Sequence, residues 1–253
     1  MSEFILEADH LRKEFGGLVA VAGVSLRVRA GSLHSIIGPN GAGKTTLFNL
    51  LSGIIKPTSG HVSFNGQDIT PLPPHRIAHL GIGRAFQITN VFPNLSVFEN
   101  ARLAAQALGN HNLNLLAPAS RYREYDASAH KALSRVGLAD KANALASLLP
   151  HGDKRKLELA ILLAQEPRVL LLDEPTAGMA SEQVPQLLAL IADLRRDGDK
   201  TILLVEHNMD VVMNVSEAIT VMHQGEVLAE GNPADIAANE LVQKAYLGEL
   251  YKN

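Results

Sequence analysis

The chain has 253 residues, no cysteine and a formal net charge of −3 at pH 7. The absence of cysteine excludes disulfide scaffolds and thiolate chemistry, and without excess positive charge a dedicated nucleic-acid binder is not expected. No apolar run approaches the roughly 18 residues that span a bilayer. The N-terminus carries acids and no long apolar run, unlike a secretory signal, so we expect the protein to stay in the cytoplasm.

The first part of the chain predicts an antiparallel sheet, then a strand, a glycine loop and a helix. Alternating apolar residues indicate strands at 4–11 and 19–28, and a hairpin is expected over 61–69 through the turn Asn65-Gly66. Between these elements, a short strand at 33–37 runs into glycine-rich sequence. Apolar residues then follow at helical spacing from Leu47 to Leu51.

The amino-acid composition changes from about 90 to 150, where alanine, leucine and charged residues predict a helical insertion. Beyond it, helices at 154–165 and 183–196 alternate with strands at 169–172, 201–205 and 218–222. Such alternation is typical of a parallel sheet covered on both faces. A hairpin at 223–226 and two short helices follow, so the sequence predicts an α/β fold.

The glycine loop carries the first chemical signal. Residues 38–45 match G-x-x-x-x-G-K-[ST] between a predicted strand and a predicted helix, which is the context that a phosphate-binding loop requires. We expect Lys44 to reach the β and γ phosphates, the Thr45 hydroxyl to ligate Mg²⁺ and Thr46 to support the helix start. The residues predicted to bind nucleotide are Gly38, Pro39, Asn40, Gly41, Ala42, Gly43, Lys44, Thr45 and Thr46.

Two carboxylates end the apolar strand at 169–172. Ligands of α/β proteins bind at the carboxyl ends of parallel strands, so we expect Asp173 to hold the metal and Glu174 to polarise the attacking water as general base. In isolation the pair could also be a solvated acidic turn. Beside a complete phosphate loop, it predicts the core of a P-loop nucleotide hydrolase.

Three further stretches, spaced around these two motifs, resemble those of the ATP-binding cassette (ABC) family of transport ATPases. They are Phe86-Gln87, the segment 149–153, and Val205-Glu206-His207. The resemblance covers nearly the whole chain. It implies a single nucleotide-binding domain over 1–253, in which 1–89 and 152–253 form the core with an antiparallel β subdomain and 90–151 form a helical subdomain.

The resemblance also implies roles for single residues. Gln87 resembles the glutamine that senses the γ-phosphate and Mg²⁺, His207 the switch histidine, and Phe15 the aromatic that stacks on adenine. Taken one at a time, each residue has a plainer alternative: Gln87 could be an ordinary polar loop residue, His207 a structural histidine and Phe15 a core residue. Together with Glu174 and Lys44, Gln87 and His207 are our predicted catalytic residues.

The segment 149–153 matches the family's signature only in part. Pro150 and His151 replace the usual serine and first glycine, which leaves Gly152 and the following helix N-terminus to contact the ATP held by a second subunit. The resemblance therefore implies that two cassettes, identical or different, clamp two ATP molecules between them.

The segments 81–87, 91–100 and 245–249 resemble those of ATPase subunits from branched-chain amino-acid importers. We therefore expect a cytoplasmic ATPase on the inner face of a bacterial membrane, with permeases, a second cassette and an extracytoplasmic solute-binding protein as partners, and with no nucleic acid. Urea or amide uptake, lipid or polysaccharide export, and a soluble ATPase acting on DNA or ribosomes remain alternatives.

Overall fold

The computed structural model describes residues 3–85, 91–109, 123–196 and 198–250, with side chains up to 246 in the last helix. In chain order the described strands are β1 (Phe4–Phe15), β2 (Leu18–Arg29), β3 (Leu33–Ile37), β4 (Ser59–Phe64), β5 (Gln67–Asp68), β6 (Ile82–Ala85), β7 (Val169–Asp173), β8 (Thr201–Val205), β9 (Ala218–His223) and β10 (Glu226–Gly231).

The described helices alternate with the later strands. They are α1 (Lys44–Leu51), α2 (Pro74–Leu80), α3 (Val97–Ala107), α4 (Arg123–Arg135), α5 (His151–Leu163), α6 (Val184–Arg196), α7 (Met209–Val215), α8 (Pro233–Ala238) and α9 (Glu240–Leu250). Single-turn 3₁₀ helices cover Ala139–Lys141 and Ala146–Leu148. Within the part of the chain that the structure covers, no helix combines the length and apolarity needed to cross a membrane.

The strands form two sheets. One is antiparallel, in the order β2-β1-β4-β5, and the other has the order β10-β9-β3-β8-β7-β6, parallel except for the β9–β10 hairpin. The predicted α/β fold, with an N-terminal antiparallel sheet and a mostly parallel core, is confirmed.

The central strands of the larger sheet are buried on both faces. Every residue of β3, β7 and β8 is buried. Along β7, Leu170 and Leu172 pack with α3 to α6, whereas Val169 and Leu171 pack with α1 and the antiparallel sheet. Because side chains of a strand alternate between faces, one apolar run supports two cores, which explains why it shows no polar alternation in the sequence.

Two element boundaries differ from those predicted by three residues or more. Strand β1 continues to Phe15 rather than ending at residue 11, because a bulge with His10 at φ +46° lets the pairing with β2 resume beyond it. Helix α5 begins at His151, three residues earlier than predicted, and Pro150 occupies its N-cap position. The backbone N–H groups of His151 and Gly152 therefore belong to the first turn, where no intrahelical acceptor exists.

Candidate nucleotide-binding site

The loop 38–46 joins the carboxyl end of β3 to the start of α1, with β9 and β8 on either side of β3. Since β3 lies inside the sheet, the loop emerges at the middle of its carboxyl edge. Helix α1 makes its first backbone hydrogen bond from Leu47 N–H to Gly43 C=O (2.9 Å). The first turn of a helix has no intrahelical acceptors for its N–H groups, which is the feature by which helix N-termini bind anions.

Glycine is required at Gly43 by two constraints. Its φ of +100° is left-handed, and a Cβ there would lie 2.4 Å from the Ala20 carbonyl oxygen of β2. On the other side, Gly225 N–H of the β9–β10 turn donates to Ala42 C=O (3.0 Å). The loop is therefore clamped between β2 and that turn, which fixes its curvature before any ligand binds.

Lys44 is buried and is held by the loop itself. Its Nζ donates to the carbonyl oxygens of Gly38 (2.5 Å) and Pro39 (2.9 Å). By contrast, Asn40, Gly41 and Thr45 are exposed. The loop thus presents backbone and hydroxyl groups to solvent around one ammonium group, an arrangement that suits a phosphate chain.

Asp173, the last residue of β7, is buried beside Arg84 of β6. Arg84 Nη2 lies 3.3 Å from Asp173 Oδ2, and Nη1 donates to Asn49 Oδ1 (2.7 Å) and Ser52 Oγ (2.9 Å) of the α1 region. Burial raises the pKa of Asp173, and the neighbouring guanidinium partly counters that rise. The ionised carboxylate of Asp173 therefore lowers the stability of the folded state unless a further cation lies beside it.

The other oxygen of Asp173 tests whether this site suits Mg²⁺. Oδ1 is buried and has no hydrogen-bond partner among the described residues. Unpaired carboxylate oxygens are rare in protein interiors, and Mg²⁺ favours one or two carboxylates together with substrate phosphates. The exposed hydroxyl-bearing residue Thr45 lies in the first turn of α1. These donors fit the metal that the sequence predicts.

Glu174 and His207 meet at the ends of neighbouring strands. His207 Nε2 donates to Glu174 Oε1 (2.5 Å), and Glu174 N–H donates to Val205 C=O (2.9 Å). Glu174 has a φ of +50°, a strained conformation for a residue with a side chain. The turn directs the carboxylate out of the sheet edge, where both side chains remain partly exposed.

A third carboxylate lies between these strand ends. Glu206 is buried, with only 3% of its surface exposed. Its Oε1 accepts from Thr176 N–H (3.1 Å) and Thr176 Oγ1–H (2.6 Å), and its Oε2 accepts from His207 N–H (3.2 Å). The carboxylate therefore joins the turn after β7 to the turn after β8.

The structure gives the remaining predicted residues different settings. Phe15 is half-exposed at the end of β1, with Lys13 Nζ 5.1 Å from its ring centre. Gly152 is buried in the first turn of α5 against Gln183, whose amide a Cβ would meet at 2.5 Å. Gln87 lies outside the described residues.

Sequence reasoning missed Arg84, Thr176 and Glu206 as site residues. Arg84 is a cation on an otherwise apolar and small-residue strand, and Glu206 is a carboxylate that directly follows a fully buried strand. A charge at the end of a buried parallel strand is a usable signal, because such ends converge on one edge. Thr176 carries no comparable signal.

Comparison with known proteins gives consistent matches. Residues 21–177 match the family model "ABC transporter", and residues 226–251 match "Branched-chain amino acid ATP-binding cassette transporter". The chain is 44% identical to the high-affinity branched-chain amino acid transport ATP-binding protein BraF of Pseudomonas aeruginosa, over 98% of this chain and all of that protein.

Solved structures match over similar lengths. The ADP conformation of MJ1267, an ATP-binding cassette of an ABC transporter, superposes with a TM-score of 0.85 at 30% identity, covering 98% of this chain and 100% of that one. A dimeric post-hydrolysis state of the cassette MJ0796 bound to ADP and Pi has a TM-score of 0.77 at 26% identity, covering 90% and 99%.

Proposed function

The chain belongs to the ATP-binding cassette transporter family, and we propose that it is the subunit that binds and hydrolyses ATP to energise a branched-chain amino-acid importer. The family and the ATPase class expected from the motifs are thereby confirmed. One observation supports the position of the ATPase site. The Lys44 loop, Asp173 and the Glu174–His207 pair converge at the carboxyl ends of β3, β7 and β8, which are adjacent strands of one sheet.

In this proposal the loop 38–46 binds the triphosphate through its backbone N–H groups, and Lys44 exchanges the Gly38 and Pro39 carbonyls for phosphate oxygens. Glu174 accepts the proton of the attacking water. His207 orients the Glu174 carboxylate through the 2.5 Å hydrogen bond and contacts the γ-phosphate. Phe15 stacks on adenine, and Gln87 contacts the γ-phosphate region.

Asp173, Thr45 and Gln87 would hold Mg²⁺. When bound, the ion supplies positive charge that neutralises the phosphate oxygens. Its presence would also compensate the buried Asp173 charge, whose Oδ1 has no partner among the described residues. The contribution of the chain is to keep that carboxylate ionised and in place, through Arg84 on its other oxygen.

We propose that the active form is a pair of cassettes, in which Gly152 and the first turn of α5 contact the ATP of the second subunit. The departure of Pro150 and His151 from the usual signature leaves this contact to backbone N–H groups and the helix dipole. The dimer described for MJ0796 supports such an assembly.

An exposed apolar patch supports a permease partner. Hydrogen bonds from Ser147 N–H to Pro93 C=O and from Ala146 N–H to Leu95 C=O, each 3.0 Å, bring two segments together. Phe92, Leu145 and Leu148 stay exposed there. Exposed large apolar side chains that cluster mark interaction surfaces. We propose that this patch, within a helical subdomain at 90–151, docks a permease on the inner face of the membrane. An extracytoplasmic binding protein would deliver the cargo to that permease.

The test uses Glu174→Gln in the 253-residue chain, with Glu166→Gln as its matched control. Both glutamates have a φ of +50°, so both changes replace a carboxylate by an amide on the same type of backbone, but Glu166 pairs with Lys131 outside the site. Glu174→Gln should bind ATP normally and lower kcat for hydrolysis by about 100-fold or more, the usual loss when a general base is removed. Glu166→Gln should hydrolyse ATP like the parent chain.

Uptake of labelled leucine into proteoliposomes that hold the assembled transporter then tests the cargo. Uptake that depends on ATP and stops with Glu174→Gln supports the whole proposal. A parent chain that hydrolyses no ATP in the assembled transporter would refute it, and normal hydrolysis by Glu174→Gln would refute the role of Glu174.

A further inference from the structure

Glu206 makes a set of contacts that ATP binding and hydrolysis, as described above, do not use. We infer that Glu206 is a positioning residue that sets the geometry of His207 and Glu174 and couples it to the loop that follows β7. The inference rests on the proposed ATPase function and deepens it. Glu206 is not assigned a contact with ATP or metal.

The contacts form a closed ring of four residues. Glu206 accepts two hydrogen bonds from Thr176 and one from the His207 N–H, His207 donates to Glu174, and Glu174 lies two residues before Thr176 in the chain. Closure of the ring means that His207 is fixed at two points, through its backbone by Glu206 and through its ring by Glu174. A displacement of the turn after β7 therefore moves both ends of the Glu174–His207 hydrogen bond.

Only a carboxylate satisfies this position. Both oxygens of Glu206 act as acceptors, because Thr176 N–H, Thr176 Oγ1–H and His207 N–H all point donors at it. A glutamine of the same shape places an NH₂ group against the N–H of either Thr176 or His207, whichever way the amide is turned. One hydrogen bond of the ring would then be lost, and a buried N–H would be left without an acceptor, which destabilises the folded state.

The ring continues to the helix that carries the signature segment. Arg155 Nη2 of α5 donates to Ala177 C=O (3.1 Å), one residue after Thr176. Gly178 lies against the His151 ring, where an added Cβ would be 3.4 Å from Cε1. Contact between the turn after β7 and the first turns of α5 gives a continuous path from that helix to the Glu174–His207 pair. Glu206 is the buried anchor of the path.

Burial of a carboxylate is costly, and here three hydrogen bonds from Thr176 and His207 offset that cost. The carboxylates of Asp173 and Glu174 lie on the neighbouring strand end. Precise orientation of a catalytic pair gives the carboxylate a purpose, since a displacement of about 1 Å in a reacting group can cost about 100-fold in rate.

The test compares Glu206→Gln, Thr176→Val and the double variant with the parent chain, in the assembled transporter and with ATP as the probe. Glu206→Gln should lower kcat by about tenfold or more while the KM for ATP changes little, because the loop 38–46 is untouched. The thermal midpoint should fall, because one buried donor is left unsatisfied, so kcat is measured per folded chain well below that midpoint. Thr176→Val should lower kcat in the same way, and Thr176→Ser, which keeps the hydroxyl, should restore it. The double variant should be no slower than Glu206→Gln, since both changes break the same connection.

Glu217→Gln is the control. It removes one carboxylate at the opposite end of the same sheet, where Glu217 pairs with Arg195 and its N–H donates to Leu33 C=O. It should leave kcat unchanged.

Three results would overturn the inference: an unchanged kcat in Glu206→Gln, a loss that only follows a loss of folded protein, or effects of the two single changes that add in full. An inactive parent chain would instead refute the proposed function, so the two failures are distinguishable.

Discussion

Protonation of one buried histidine should make this fold sensitive to acid. His34 of β3 is 2% exposed, and its Nε2 shares a 2.7 Å hydrogen bond with the Thr220 hydroxyl of β9. Burial lowers the pKa of His34 from 6.5 to about 4. Below pH 6.5 the unfolded chain therefore takes up a proton that the folded chain refuses, so the free energy of unfolding falls as the pH drops from 6.5 toward 4.

The size of this effect follows from the two pKa values. Each tenfold difference in proton affinity is worth about 1.4 kcal/mol, so the gap between 6.5 and about 4 removes about 3 kcal/mol between pH 7 and pH 4. That is a large part of the 5 to 15 kcal/mol of a typical domain. Replacement by a residue that does not titrate, His34→Gln, should keep a polar partner for Thr220 and abolish this component.

Urea unfolding followed by circular dichroism, at intervals from pH 7 to pH 4.5, measures the difference. Contributions from carboxylates are common to both proteins and cancel in the comparison. Glu230 also contacts Thr220, with its Oε2 3.4 Å from the Thr220 hydroxyl. Burial raises the pKa of Glu230, so this carboxyl group makes the folded state more stable as the pH falls, which is opposite to the effect of His34. Glu230→Gln in both backgrounds separates the two. Parallel pH dependences of the parent chain and His34→Gln would refute the reasoning.

Two further changes test the nucleotide loop and the buried acid. Gly43→Ala should destabilise the chain by more than about 2 kcal/mol in urea unfolding without nucleotide, because its Cβ would meet the Ala20 carbonyl oxygen. Gly41→Ala, at φ +77° with open space around the added Cβ, should destabilise it by only about 1 kcal/mol. Equal losses would contradict the clamping of the loop at Gly43. Asp173→Asn should abolish ATP hydrolysis without lowering the thermal midpoint at pH 7. Because burial raises the pKa of Asp173, this carboxyl group makes the folded state less stable as the pH rises above 3.8. A clear drop in the midpoint would show that the pairing of Asp173 with Arg84 outweighs the cost of burial.

The sequence predicted those parts of the site that depend on local spacing. The loop 38–46 needs its glycines and Lys44 within a few positions, and Asp173 and Glu174 follow directly from an apolar strand. The contacts that sequence reasoning missed join residues far apart in the chain. Arg84 and Asp173 are 89 positions apart, and Thr176 and Glu206 are 30 apart. Their proximity depends on the strand order, which local patterns do not encode.

The predicted boundaries failed for a related reason. The sequence prediction places residues 149–153 before a helix that begins at residue 154, whereas α5 begins at His151 with Pro150 as its N-cap. Packing of Gly152 against Gln183 and of Gly178 beside His151 favours that early start, and both contacts come from the loop after β7. Tertiary contacts thus decided where the helix begins.

The same geometry explains why the site is held together by its own residues and yet suits a charged ligand. Lys44 is retained by carbonyls of its own loop, and these neutral acceptors are weaker partners for an ammonium group than phosphate oxygens. Asp173 keeps one oxygen on Arg84 and one without a partner among the described residues. Each group is therefore positioned at a cost that a charged ligand relieves. In the proposed function, the triphosphate then binds beside turns that are already in place, because those that carry Glu174 and His207 are joined through Glu206.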